Sequence, residues 1–256
     1  MKAGTVPGAR GDMDRYSIRP VAYVRSDYNE KFGIPKQSGL VRELEQAVVF
    51  EPEFRKTDCL RGIEEFQYLW MIWGFSKSRR DAATGDPVWS PTVRPPRLGG
   101  NRRVGVWASR SPYRPNSLGL SSVRLLRIEL DGREARSDDL SGPVSGELAL
   151  IISGGDMLNG TPVYDIKPYL PYSDIHPDAS DGYSRGKSDP HLEVVFPDAL
   201  LQRIAEEKRQ GLIRLLSLDP RDAYEKKQGH TYGLSFAQWE VRFKVEENTL
   251  TVTDVL

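Results

Sequence analysis

The apolar runs of this chain are short, rich in β-branched and aromatic residues, and broken every few positions by turn residues. Helices need longer stretches at a 3.6-residue period, so the pattern argues for a mostly β first part. Strands are predicted at 18–24, 47–50, 66–75, 104–108, 121–130, 148–152 and 163–166. The 121–130 run is irregular: Val123 and Leu125 share one phase, Leu126, Ile128 and Leu130 the other. Such a one-residue slip is either a β-bulge or a strand buried on both faces.

From 176 to 190 the chain turns to Asp, Ser, Gly, Tyr and Pro with few aliphatic residues, which reads as a linker. A strand is expected at 192–196. Pro197 then opens a helix with Leu200, Leu201 and Ile204 at helical spacing, before Gly211. Trp239, Val241, Phe243 and Val245 alternate with Glu240, Arg242 and Lys244 in a half-buried strand, followed by a last one at 250–252. The expected organisation is a lead-in at 1–14 with no apolar core, a β domain at 15–175, the linker, and a small α+β domain at 191–256.

Composition narrows the chemistry. With 256 residues the chain holds one large or two modest domains, and no apolar run approaches a membrane span. A single cysteine, Cys59, excludes an internal disulfide and a cysteine-based zinc cage, and reads as a buried structural thiol in a reducing, cytoplasmic setting. His176, His191 and His230 have no ligand spacing, so no metal is expected. A Gly-Lys-Ser/Thr phosphate loop and a G-x-G-x-x-G turn after a strand are both missing, which excludes an ordinary doubly wound cofactor site.

Net charge is zero over the whole chain, yet residues 87–128 contain eight arginines and no acid. In Arg110-Ser111-Pro112-Tyr113-Arg114-Pro115-Asn116-Ser117-Leu118-Gly119-Leu120-Ser121, two prolines fix φ around two guanidinium forks. A shaped loop of this kind suits a carboxylate or a phosphate, and Gly119 permits close backbone approach to a ligand. Trp89, Trp107 and Tyr113 lie in or beside the stretch and offer stacking surfaces for unpaired bases.

The arginine loop resembles the signature of the TrmO (TsaA-like) family, S-adenosylmethionine-dependent β-barrel methyltransferases that modify tRNA. Further matches are Lys31-Phe32-Gly33-Ile34-Pro35-Lys36-Gln37, Gly105–Ser109, the segment from Asp156 through Asn159, Gly160 and Asp165 to Tyr169, and Asp219-Pro220-Arg221 with Tyr224 and Tyr232-Gly233. The resemblance implies a homodimeric β-barrel enzyme that methylates N6 of threonylcarbamoyl-adenosine beside the anticodon of a threonine tRNA. It implies a cofactor pocket of Phe32, Gly33, Ile34, Pro35, Gln37, Arg110, Arg114, Asn116, Gly119, Leu120 and Asp165. Phe32 and Ile34 either sandwich the adenine or belong to the core, and an arginine, Arg114 foremost, would hold the methionine carboxylate. Asn116, Asp219 and Tyr224 are the catalytic candidates. Arg79, Arg80, Arg97, Arg103 and Arg221 are the RNA-binding ones, so the C-terminal part is expected to serve tRNA, and a chain cut near Asp181 to keep cofactor binding. Lys36 stands where relatives usually carry Arg, Ser117 where they usually carry Pro, and Asn159 where Asp is common; Ser117 is expected to loosen its turn. Two rival readings are a non-catalytic tRNA-binding or S-adenosylmethionine-sensing module and a small-molecule methyltransferase.

Overall fold

A computed structural model of the chain describes residues 17–77, 82, 85, 88–95, 102–139, 142–185, 191–221 and 229–256. The expected lead-in at 1–14 lies outside them. Among the described residues, nine strands precede residue 170: β1 (Ala22–Arg25), β2 (Glu45–Phe50), β3 (Tyr68–Gly74), β4 (Thr92–Val93), β5 (Val104–Gly105), β6 (Leu118–Leu130), β7 (Arg133–Ala135), β8 (Leu148–Ser153) and β9 (Pro162–Pro168). The two-residue strands β4 and β5 pair only with each other. The rest run in the order β3-β9-β1-β2-β8-β6-β7, and β6 pairs back onto β3. Six antiparallel strands thus close into a ring, which leaves no free edge between β3 and β6.

β6 makes the closure possible by being long. Leu118–Arg124 pairs with β3 and Arg124–Leu130 with β8. The register slips between Leu125 and Arg127, so the irregular phase is a bulge. Val123 and Ile128 are both buried while Leu126 is 39% exposed, as the bulge requires. Arg127, on an acid-free stretch of sequence, finds its carboxylates in space: Glu45 at 2.8 and 2.9 Å, and Glu129 at 2.8 Å. The ring interior is filled by Val24, Val48, Leu69, Met71, Trp73, Val123, Leu150, Ile152 and Met157, among others.

The C-terminal part carries β10 (Glu193–Val195), β11 (Tyr232–Phe236), β12 (Trp239–Glu246) and β13 (Thr249–Val255) in the sheet order β10-β13-β12-β11, with β10 parallel to β13. The helices are α1 (Pro171–Asp174), α2 (Asp198–Leu201) and α3 (Glu206–Ser217). Leu212, Leu215 and Leu216 of α3 share one core with Phe236, Phe243 and Leu250 of the sheet, and with Tyr28, Val41, Leu44 and Leu158 from before the predicted linker. The second hydrophobic core is therefore built by both ends of the chain.

Several local expectations change. The predicted 104–108 strand stops at Gly105: the Val106 N–H still bonds the carbonyl of Pro91, next in the β4 register, at 3.0 Å, and the chain then enters a 3-10 turn over Val106–Ala108, closed by the Ser109 N–H on the Val106 carbonyl at 3.1 Å. Gly211 does not close a helix. It sits inside α3, where a Cβ would lie 2.3 Å from Leu44, so glycine here serves close packing. β11 escaped notice because its residues Tyr232-Gly233-Leu234-Ser235-Phe236 include a glycine that weakens the strand pattern. Cys59 is exposed rather than buried.

Candidate active site

Three loops carrying the matched segments meet at one end of the ring. The backbone N–H of Gly39 bonds the Gly154 carbonyl at 2.7 Å, joining the 35–39 loop to the turn after β8. Gly154, at φ +74°, and Gly155, whose Cβ would lie 2.0 Å from Gln46 Oε1, are required for that turn. The Arg110 guanidinium donates to Gln37 Oε1, tying the arginine loop to the same place. Asp156 lies next to this link, with its Oδ1 accepting from the Ser121 hydroxyl at 2.5 Å. Ser121 Oγ in turn accepts from the buried Trp73 indole N–H at 2.9 Å.

Burial pushes the Asp156 carboxyl above its ordinary pKa. The Ser121 hydroxyl, its own backbone N–H, the Arg110 charge and the Ser38 N–H pull the other way without reversing the shift. A raised folded value means that the stability of the neutral form is full below the unfolded pKa of about 3.9 and is lost as pH rises through the folded value. Asp156→Asn, which stays neutral, is accordingly expected to gain in melting temperature over the wild type as buffer pH goes from about 4 to about 7. Thermal melts at both pH values make the comparison; a flat difference would mean that Asp156 ionises as it does in the unfolded chain. Sequence reading passed over Asp156 as a site residue in favour of Asp165, although it opens the same matched segment.

Other anticipated residues divide between places. Gly33 is in the left-handed region at φ +79°, and a Cβ there would lie 2.3 Å from Leu234, so the 31–37 loop needs glycine where it docks on β11. Phe32 stacks on Tyr232 and Phe243, each at 6.4 Å between ring centroids, and Ile34 packs against the same core. Of the two readings of Phe32 and Ile34, the structure favours core. A cleft beside them is lined by Lys31, Ile34, Pro35, Lys36, Leu215 and Asp219.

Arg114 turns back on its own loop, with Nη1 donating to the carbonyls of Ser109 at 3.2 Å and Ser111 at 3.5 Å. That leaves exposed Arg110 the better placed guanidinium for a bound carboxylate. Asn116 is exposed on the same loop. Ser117 does not loosen the turn. At φ 46° it adopts a conformation closed to proline, and its Oγ donates to the Pro112 and Arg114 carbonyls at 3.1 and 3.3 Å. Gly119 is closely approached by Trp73, which would lie 2.3 Å from a Cβ there. Leu120 and Asp165 both pair with Ile72 and so flank it on the outer face of the ring, where Trp70, Lys167 and Asp174 line a shallow depression.

The C-terminal motif forms a buried ion pair. Arg221 Nε and Nη2 donate to the two Asp219 oxygens at 2.8 and 3.0 Å, with the side chains 9% and 2% exposed. This bond and the Asp219 charge raise the Arg221 pKa, against burial. The pair occupies both Asp219 oxygens and two nitrogens of the Arg221 guanidinium. Arg103 is exposed and donates to Thr92 Oγ1 at 2.8 Å. Arg79, Arg80, Arg97 and Tyr224 lie outside the described residues.

Comparison with known proteins gives two family matches. Residues 23–175 match the model of the tRNA-methyltransferase O N-terminal domain, and residues 189–256 that of the TrmO C-terminal domain. The tRNA (adenine(37)-N6)-methyltransferase of Escherichia coli is 35% identical over 243 residues, covering 92% of this chain and 95% of the relative. A Pseudomonas aeruginosa relative, 35% identical over 236 residues that cover 89% of this chain and 92% of its own, carries the words S-adenosylmethionine-dependent methyltransferase in its name. A crystal structure of TrmO from Pseudomonas aeruginosa superimposes with a TM-score of 0.68 at 29% identity, covering 94% of this chain and 99% of that one.

Proposed function

This chain belongs to the TrmO family, and we propose that it transfers the methyl group of S-adenosylmethionine to N6 of adenine 37 in tRNA. The observation that carries the reading is the meeting of Gln37, Arg110 and Asp156 where three separate matched segments converge. An α-amino acid end presents one carboxylate and one ammonium. Arg110, held by Gln37, offers a cation for the first; Asp156, held by Ser121, offers an anion for the second. An ammonium beside Asp156 would also draw its pKa back down, so donor binding and the charged carboxylate reinforce each other.

Methyl transfer forms the bond from N6 to the methyl carbon as the sulfur–methyl bond breaks, leaving a thioether and releasing one proton from N6. The sulfonium supplies the electrophile. The protein's part is to align donor and amine and to exclude water. Asn116, exposed on the arginine loop, is the catalytic candidate in this reading. The finer reading follows the family: a six-stranded barrel and an α+β C-terminal domain, a homodimer acting in the cytoplasm, and threonylcarbamoyl-adenosine of a threonine tRNA as substrate.

Two measurements test this. Calorimetry with S-adenosylhomocysteine on metal-free protein should show binding that Arg110→Ala weakens by one charged hydrogen bond, on the order of 1.5–3 kcal/mol. Mass spectrometry of tRNA nucleosides after incubation with S-adenosylmethionine should show a methyl added to the modified adenosine at position 37. No heat with the ligand, or turnover on a small molecule without tRNA, would overturn the assignment.

A further inference from the structure

Beside the arginine loop, the structure exposes two tryptophans that are absent from both hydrophobic cores. Trp89 is 49% and Trp107 72% exposed, and their rings meet edge to face at 6.4 Å between centroids and 81° between planes. Tyr113, 48% exposed, is brought alongside because the Ser90 N–H bonds the Tyr113 carbonyl at 3.1 Å. The β4–β5 pair and the Val106–Ala108 turn hold these aromatics in place.

An edge-to-face pair leaves ring faces open, unlike a stacked pair that covers them. The charge carried by this stretch of sequence is of one sign. The sequence from 87 to 128 has no acid, and Arg102, Arg103 and Arg110 are all exposed. Trp107 lies three residues before Arg110, and so close to the cluster of Gln37, Arg110 and Asp156. Flat aromatic faces in a cationic field suit unpaired nucleotides. Bases stack on the rings, and phosphates meet the guanidinium groups.

Resting on the tRNA reading above, we propose that Trp107 and Trp89 form a stacking platform for unpaired anticodon-loop nucleotides next to the target adenosine. Splaying a neighbouring base onto Trp107 would unstack the loop and present N6 to the methyl donor. Trp107 and Trp89 are positioning residues in this scheme, and they contribute affinity for single-stranded loop rather than for duplex.

The test uses the full-length protein with an anticodon stem–loop RNA and, as control, the same stem closed as an uninterrupted duplex. Stem–loop should quench tryptophan emission, and the duplex should not. Trp107→Ala should remove most of that quenching and raise KM for tRNA by roughly 5- to 100-fold, with Trp107→Phe restoring KM to within about threefold. Binding of S-adenosylhomocysteine should be unchanged in both variants. The salt dependence of tRNA binding should also stay the same, because no phosphate contact is lost. Wild-type KM in Trp107→Ala, or a loss that phenylalanine fails to rescue, would overturn the platform. So would an altered sedimentation of RNA-free Trp107→Ala, which would make the pair a contact between protein copies. Wild-type protein that quenches with stem–loop but never methylates tRNA would sink the enzymatic reading and leave the platform standing.

Discussion

Cutting the chain after Asp181 is expected to abolish binding of S-adenosylhomocysteine, the reverse of what the order of motifs along the sequence suggests. The 27–36 segment is laid onto β11 and β12 along its length. The Ala237 N–H bonds the Asp27 carbonyl at 2.9 Å, Asn29 Nδ2 donates to the Ala237 carbonyl at 2.6 Å, and Glu30 accepts from the Ser235 N–H at 2.9 Å. Phe32 then stacks on Tyr232 and Phe243, and Gly33 abuts Leu234. Removing that support strips a Phe-sized side chain of its packing, on the order of 3–5 kcal/mol, and deprives several polar groups of partners. The loop that ends in Gln37 would lose its position, and Arg110 with it. Gly33→Ala in the full-length chain makes the same test locally, since its Cβ strikes Leu234 in a backbone conformation that disfavours side chains. Calorimetry should show weakened binding there while circular dichroism stays near wild type. A truncated chain that binds with full affinity would restore the view that the C-terminal part serves tRNA alone.

Arg221→Ala should be among the most destabilising single changes in the protein, at about 3–5 kcal/mol, because it takes from a buried Asp219 carboxylate the counter-charge and both hydrogen bonds of the guanidinium fork. Arg221→Lys keeps the charge but not the planar fork, so it should recover only part of the loss. The combined Asp219→Asn, Arg221→Ala variant should be more stable than Arg221→Ala alone, since asparagine removes the buried negative charge that Arg221 no longer balances. It also tolerates the φ of 52° found at that position. Urea denaturation of Arg221→Ala, Asp219→Asn and the combined variant, each against wild type, gives the coupling energy. Arg221→Ala within about 0.5 kcal/mol of wild type would show that the pair is dispensable for folding. In that case a changed salt slope of tRNA binding would return Arg221 to the RNA surface.

Much of this architecture was legible beforehand because its causes are local. Short β-branched runs at period two specify strands whatever surrounds them, and because side chains alternate strictly along a strand the phase slip across Leu125 and Leu126 narrowed that run to a bulge or a strand buried on both faces, of which the pairing with β8 shows the bulge. The Gly and Pro spacing of the matched segments likewise marked which loops matter. Contacts across sequence were a different matter. Nothing near Arg127 indicates that its charge is met by Glu45 on another strand. Nothing near Gly211 says that a leucine more than 160 residues away presses on it.

The sequence by itself determined the family, the β character of the first part and the three loops that would build a site, since these depend on residue type and spacing. Only the tertiary structure decided which of the candidate residues meet. It tied Arg110 to Gln37, set Asp156 on Ser121 within reach of the Arg110 charge, turned Arg114 inward, sent Phe32 into a core shared by both ends of the chain, and locked Asp219 to Arg221. The reason is physical. Hydrophobic periodicity specifies an element's buried face but not its partner, whereas a buried charge or a close-packed ring takes its role from whatever the closed ring and the second sheet bring within about 4 Å of it.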